Sequence, residues 1–243
     1  MTKEKFTLTD ENIENQTATM DICINVANNM IAANDPNFRR IHHVNHHIVL
    51  YIKDYILKDK CHSYLEIGTH FGHSLSTMLH SKYPSNFLSL DLFNVGSSIT
   101  RDCNVKSVEE VANQNANLFN KNNYDFLIKR ANSQSSKTRD FVKQFFANGV
   151  DLLFIDGDHH YSPVMRDFEL YSPLVNVGGF IIFDDYLPYN RECPQAVDKI
   201  VRNNDSLEII GVVSDIVDSC GYKPSTKAIF KGKNSTFIVR KIK

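Results

Sequence analysis

Between residues 63 and 183 short apolar runs alternate with stretches whose apolar positions recur every three or four residues. The runs at 64–67, 87–90, 126–129, 151–155 and 180–183 are mostly apolar, as strands buried on both faces require. Each ends in polar or glycine residues, and most lead into helical periodicity, at 74–80, 108–119, 138–147 and 164–170. That alternation predicts a parallel sheet with helices on both faces. The tail differs: 207–213, 228–231 and 237–241 read as strands, the last two flanking Gly232-Lys233-Asn234 as a hairpin would.

Upstream, Thr9-Asp10 can cap a helix in which Cys23, Val26, Ala27, Met30 and Ile31 share a face, until Pro36 breaks it. A second helix follows, with Ile41, Val44, Ile48, Tyr51, Ile52, Tyr55 and Ile56 in one stripe. This leaves His42, His43, His46 and His47 on the other faces, which read as solvated. Residues 1–60 are therefore expected to form a helical cover on a main domain of residues 61–243.

A chain of 243 residues suits one α/β domain with a sizeable core. The formal charge of -1 implies neither a nucleic-acid partner nor an acidic membrane surface. No apolar run approaches the roughly 20 residues of a membrane span, and no basic start precedes an apolar block. A cytoplasmic protein with no membrane partner is the expectation. The cysteines at 23, 61, 103, 193 and 220 are scattered and never form a CxxC pair, so they suggest neither a disulfide framework nor a zinc site.

Candidate chemistry begins in YLEIGTHFGHS, residues 64–74. Ligands of a doubly wound sheet bind at the carboxyl ends of its strands, and the turn after the first strand comes closest to them. Glycines at 68 and 72 allow that approach, but the central glycine of G-x-G-x-x-G is missing and no Gly-Lys-Ser/Thr follows. Both facts argue against a polyphosphate ligand. Glu66 can accept from an ammonium group, and Ser74 with the helix N-terminus can donate to a carboxylate. The next strand ends in Asp91, where an acid commonly accepts from ribose hydroxyls. An amino acid joined to a nucleoside is S-adenosylmethionine. Each residue also has a plainer use: the glycines in a tight turn, Asp91 as a cap, Ser133 as a loop serine.

With these residues the chain resembles class I S-adenosylmethionine-dependent methyltransferases. Within them it is similar to the metal-dependent small-molecule O-methyltransferases, such as catechol O-methyltransferase and the enzymes that methylate sugars of macrolide and aminocoumarin antibiotics. The resemblance spans about residues 60–240 and rests on E-x-G-x-x-x-G-x-S, on RANSQ, and on Asp156 and Asp184-Asp185. It implies a Rossmann-like, doubly wound, mostly parallel sheet of seven strands with an antiparallel C-terminal strand. It also implies a cofactor site made by Glu66, Gly68, Thr69, Gly72, Ser74, Asp91, Asn132, Ser133, Gln134 and Asp156. A homodimer is compatible with it.

LLFIDGDHHY and GGFIIFDDY are apolar strands that end abruptly in aspartates. On adjacent strands, about 4.8 Å apart, Asp156, Asp184 and Asp185 would converge and raise one another's pKa unless a cation compensated. A divalent ion that takes oxygen ligands, Mg²⁺ or Mn²⁺, is the simplest compensation; helix capping or pairing with Arg166 or Arg191 is the alternative. The resemblance favours metal on these three aspartates. It also points to the catalytic base: the catechol enzyme has a lysine three residues after its first metal aspartate, where this chain has His159. Asp158 is the competing base, since related sugar O-methyltransferases carry an acid there. His160 and Tyr161 read as packing or pocket residues, and His70 and His73 as variable positions of the loop. The i,i+4 pairs His42/His46 and His43/His47 have no acid or cysteine nearby in sequence and are not expected to bind metal.

The expected function is Mg²⁺-dependent O-methylation of a hydroxylated small molecule. A nucleoside-binding or S-adenosylmethionine-binding module without turnover is one alternative, and a nicotinamide-dependent oxidoreductase is another that the missing glycine disfavours. Acceptor specificity is expected after Asp91, with Arg101, and after Asp185, with Tyr186, Tyr189 and Arg191.

Overall fold

A computed structural model describes residues 10–30, 46–93, 108–186, 192–213 and 235–243. The strands are β1 (Ser63–Ile67), β2 (Asn86–Asp91), β3 (Phe126–Arg130), β4 (Val150–Ile155), β5 (Val175–Phe183), β6 (Leu207–Val213) and β7 (Thr236–Lys241). They form one sheet in the order β3-β2-β1-β4-β5-β7-β6, in which β7 runs opposite to the other six strands. The fold is thus the expected Rossmann-like α/β arrangement with seven strands.

The helices are α1 (Asp10–Asn29), α2 (His47–Tyr51), α3 (His73–Met78), α4 (Val108–Phe119), α5 (Ser136–Phe145), α6 (Tyr161–Tyr171) and α7 (Glu192–Arg202). Alternate residues of each strand point to opposite faces, so the sheet carries two cores. On one face Tyr64, Phe87, Phe154 and Ile182 pack with Val26, Met30, Leu75 and Ala112 from α1, α3 and α4 and their flanks. On the other, Leu65, Leu88, Leu153 and Ile181 pack with Val142, Val164, Phe168 and Val197 from α5, α6 and α7.

The register carries the strand ends to one edge. Ile67 lies opposite Leu90 and Ile155, and Ile155 opposite Phe183. The ladder runs one residue further, with Gly68 N–H donating to Leu90 O at 2.8 Å, Asp156 N–H to Ile67 O at 2.8 Å, and Asp184 N–H to Ile155 O at 3.0 Å. Asp156 and Asp184 are therefore fixed by the sheet itself. Chain order reverses between β1 and β4, and the crevice outside this switch point is where such sheets bind ligands.

Several expectations need correcting. The face expected to be solvated around His46 and His47 is buried, because α1 and α3 pack against α2. The π-helical continuation at Ile52–Leu57 even buries Lys53 and Asp54. Partners make this tolerable: Lys53 Nζ donates to Tyr83 O at 2.7 Å, and Asp54 accepts from Lys82 N–H at 3.0 Å and from Ser81. Strand β5 begins at Val175, five residues before the run at 180–183, because Gly178 with φ +90° and Gly179 break the apolar pattern. Helix α7 was not expected, although Cys193, Ala196, Val197 and Ile200 bury one helical face. His42, His43 and the proposed strand at 228–231 lie outside the described residues.

Candidate active site

At the switch point a pocket of about 510 Å³ opens. Its walls include Gly68, Thr69, Asp91, Asn132, Ser133, Gln134 and Asp156, from the ends of β1, β2, β3 and β4, and Ser74 from the start of α3. His46, Asp158, His159 and Asp185 close its other side.

The glycine turn is shaped by neighbouring backbone. A Cβ on Gly68, at φ +99°, would lie 2.0 Å from the Asp156 carbonyl oxygen, and one on Gly72, at φ +80°, would lie 3.1 Å from that of Ala112. Only glycine satisfies both the left-handed conformation and the close approach at 68. The structure thus adds a second demand for these glycines to the expected approach of a ligand, from the backbone after β4 and in α4. Gly72 does not line the pocket.

Glu66 is also placed differently from a direct ammonium acceptor. It is fully buried beneath the pocket and accepts from Tyr64 Oη at 2.7 Å, Ser89 Oγ at 3.0 Å and Ser74. Burial raises its pKa, which those hydrogen bonds oppose. Its role there is to hold Ser74 and, through Ser89, Thr69, whose Oγ1 lies 2.6 Å from Ser89 Oγ.

Asp91 caps the turn that follows β2 from a place on the pocket wall. It lines the pocket while accepting from His70 N–H at 2.7 Å and Phe93 N–H at 2.6 Å, which orients its carboxylate. At the end of β3, Asn132 Oδ1 accepts from Gln134 N–H at 3.0 Å in a tight turn. From below, Tyr171 Oη donates to Ser133 O at 2.7 Å, and the Ser133 hydroxyl hydrogen-bonds Asp167.

Asp167 is buried, which pushes its pKa up from 3.8 to about 6 despite Ser133. The folded chain therefore holds a proton that the unfolded chain has lost between those values, and stability falls as pH rises through that window. The difference is worth up to roughly 3 kcal/mol. Asp167→Asn should raise the thermal midpoint near neutral pH and leave it little changed near pH 4. Melting curves at the two pH values test this, and equal effects at both would remove Asp167 as the cause.

The aspartates separate into two groups. Asp156 Oδ2 and Asp184 Oδ2 each lie 3.4 Å from His46 Nε2, and the ligand atoms of these three residues all fall within 4.8 Å of one another. Asp185, at φ +52°, turns the other way and places Oδ2 3.1 Å from His159 Nε2. Burial and then the Asp184 charge raise the Asp156 pKa well above 3.8. For His46, burial favours the neutral ring, but hydrogen bonds and charge from Asp156 and Asp184 outweigh it and raise the pKa to about 10. His46 was missed because its partners lie 110 and 138 positions away, and its only sequence signal was the discounted spacing to His42. Two carboxylates and an imidazole gathered at one strand edge are donors suited to a divalent cation, so the residues fit the metal the resemblance implies. Arg166, the alternative partner for these acids, instead pairs with Glu169 at 3.5 Å.

The two candidate bases differ in surroundings. His159 faces the pocket with its ring held by Asp185. Asp158 accepts from His160 N–H at 3.0 Å and from the His160 ring. Slight burial raises its pKa, but those bonds and the His160 charge outweigh it and hold the carboxyl below the usual range. His160 and Tyr161 are exposed outside the pocket wall, whereas His73 ties α3 to α1 through Cys23 O at 3.1 Å. Tyr186 packs on Phe237 and donates to Asp198 Oδ1 at 2.9 Å; Arg101, Tyr189 and Arg191 lie outside the described residues.

Strand order 3-2-1-4-5-7-6, with a pocket at its switch point walled by the ends of the first four strands, defines the class I methyltransferase fold. The chain belongs to the methyltransferase-domain family, which residues 65–186 match. An uncharacterized protein of Acanthamoeba polyphaga mimivirus is 39% identical over 175 residues, 68% of this chain and 71% of the relative. Among solved structures, an O-methyltransferase from Bacillus cereus in complex with SAH superposes with a TM-score of 0.59 at 16% identity, covering 92% of this chain and 91% of that one. The O-methyltransferase TomG from Streptomyces achromogenes, involved in tomaymycin synthesis and solved with SAM, gives 0.60 at 11% identity, covering 92% and 90%. At such identities the likeness establishes the shared fold. Among the described residues no helix is long and apolar enough to cross a membrane.

Proposed function

We propose that the protein is an S-adenosylmethionine-dependent O-methyltransferase that uses a divalent cation and acts on a hydroxyl of a small molecule. One observation carries this reading: an imidazole oriented by a carboxylate, His159 with Asp185 at 3.1 Å, on the wall of the switch-point pocket. A module that only bound a nucleoside would have no use for a positioned proton acceptor there, whereas methylation of a hydroxyl requires one. The O-methyltransferases of this fold solved with SAM or SAH support the choice of cofactor.

In this reading Asp91 accepts from the ribose hydroxyls, the 132–134 turn lines the adenine, and Ser74 with Thr69 meets the amino-acid end. Asp156 and Asp184 would hold the cation, Mg²⁺ or Mn²⁺, while Asp185 orients His159. When bound, the ion lowers the pKa of the acceptor hydroxyl and fixes its direction. A neutral His159 that donates from Nε2 to Asp185 keeps Nδ1 to take the hydroxyl proton. The acceptor oxygen then bonds to the methyl carbon as its bond to the sulfonium breaks, leaving S-adenosylhomocysteine.

Calorimetry with S-adenosylmethionine and with NAD, followed by labelled methyl transfer to phenols and sugars, tests the proposal. Binding of NAD alone would overturn it, and cofactor binding without transfer to any acceptor would favour the binding module. Asp91→Ala should weaken S-adenosylmethionine binding by roughly ten- to a hundredfold, the worth of hydrogen bonds to a charged group. Unchanged affinity would remove Asp91 from the cofactor site.

A further inference from the structure

We propose that His46 is itself a metal ligand, completing with Asp156 and Asp184 a mixed nitrogen and oxygen site that favours Mn²⁺ or a later first-row divalent ion over Mg²⁺. This rests on the reading of Asp156 and Asp184 as cation ligands and adds a ligand from the segment that precedes the sheet.

Three observations converge on it. The His46 ring is buried and its plane is set by packing, edge-on to Phe154 and tilted against His73, with both centroids at 5.3 Å. So held, Nε2 lies 3.4 Å from one oxygen of each aspartate. That equal spacing is long for the charge-assisted hydrogen bonds these groups also make, which at their strongest close to about 2.7–2.9 Å. It is close to the roughly 3 Å that separates neighbouring ligand atoms around an ion with bonds of about 2.1 Å. Finally, the group adjoins the pocket, whose wall includes His46, Asp156 and the base His159, so an ion there could meet an acceptor hydroxyl.

The nitrogen donor decides the metal. Mg²⁺ takes oxygen ligands and gains little from imidazole, whereas affinity for nitrogen rises along the first-row series beyond Mn²⁺. A site of carboxylates alone would discriminate less.

Electron paramagnetic resonance of free Mn²⁺, titrated with the full chain and then competed with Mg²⁺, reads both affinities without any methyl transfer. Wild type should bind Mn²⁺ roughly tenfold or more tightly than Mg²⁺. His46→Ala, and His46→Gln as the variant that keeps the volume, should each weaken Mn²⁺ binding by roughly tenfold or more, since even outer-shell partners of metal ligands are worth about 10–100-fold. Mg²⁺ binding should fall much less. Circular dichroism confirms that the variants are folded. Unchanged or tighter Mn²⁺ binding in a folded variant would overturn the proposal, because His46 would then be a cation competing for the two carboxylates. Equal affinity of wild type for the two ions would overturn it too. Uptake of neither ion by wild type would instead bring down the metal reading on which it rests.

Discussion

Replacing His159 by alanine should lower the rate of methyl transfer by roughly 10²–10⁴, the usual worth of a positioned general base. Cofactor affinity and metal uptake should stay near their wild-type values, because His159 touches neither the 132–134 turn nor the His46 group and its partner is Asp185. Asp158→Asn should be nearly silent by comparison. Its carboxylate is engaged by His160 and held below the usual pKa range, which makes it a weak proton acceptor. Asp185→Asn is the informative companion: it keeps the shape but loosens the charge that orients His159, so it should lower the maximal rate more than it alters cofactor affinity. Single-turnover rates for the three variants settle the assignment. A normal rate for His159→Ala beside a dead Asp158→Asn would move the base to Asp158 and leave the rest of the site standing.

Strand periodicity made the sheet legible because buried parallel strands are nearly continuous apolar runs, and β1 is buried at every position. Ends that carry acids were legible for the same reason: FIDGD and IFDDY break from apolar to charged within one residue. What the sequence could not convey was side-chain direction after a strand. Asp184 and Asp185 are consecutive, yet one follows the sheet ladder toward His46 while the other enters a left-handed turn toward His159. Nor could it convey contacts over long separations. The segment around His46 reads as amphipathic when taken alone, and only α1 and α3 packed on both sides bury its polar residues. The glycines of the first turn were found for an incomplete reason, since the carbonyl that excludes a Cβ at Gly68 belongs to Asp156, 88 positions away.

Removal of divalent ions should stop methyl transfer while sparing the cofactor. Chelation with EDTA is expected to lower the rate by at least roughly a hundredfold, because Lewis-acid stabilisation is worth several kcal/mol. S-Adenosylmethionine should still bind, since Asp91 and the 132–134 turn lie at the ends of other strands from Asp184. The charge balance of the site explains why the aspartates should tolerate neutralisation structurally but not chemically. Asp184 is buried and its charge helps to raise the Asp156 pKa, so two carboxylates are held together there at a cost to the fold. Asp184→Asn keeps the backbone bond to Ile155 and relieves that repulsion. Its thermal midpoint should therefore stay near that of wild type, while metal affinity and methyl transfer fall together. Restoring activity to chelated wild type with Mn²⁺ or Mg²⁺, and failing to restore it in Asp184→Asn at the same concentration, would tie the loss to the ion. Full activity in EDTA would falsify the metal mechanism, and Asp156 and Asp184 would then act on the acceptor hydroxyl directly, with His46 supplying the positive charge between them.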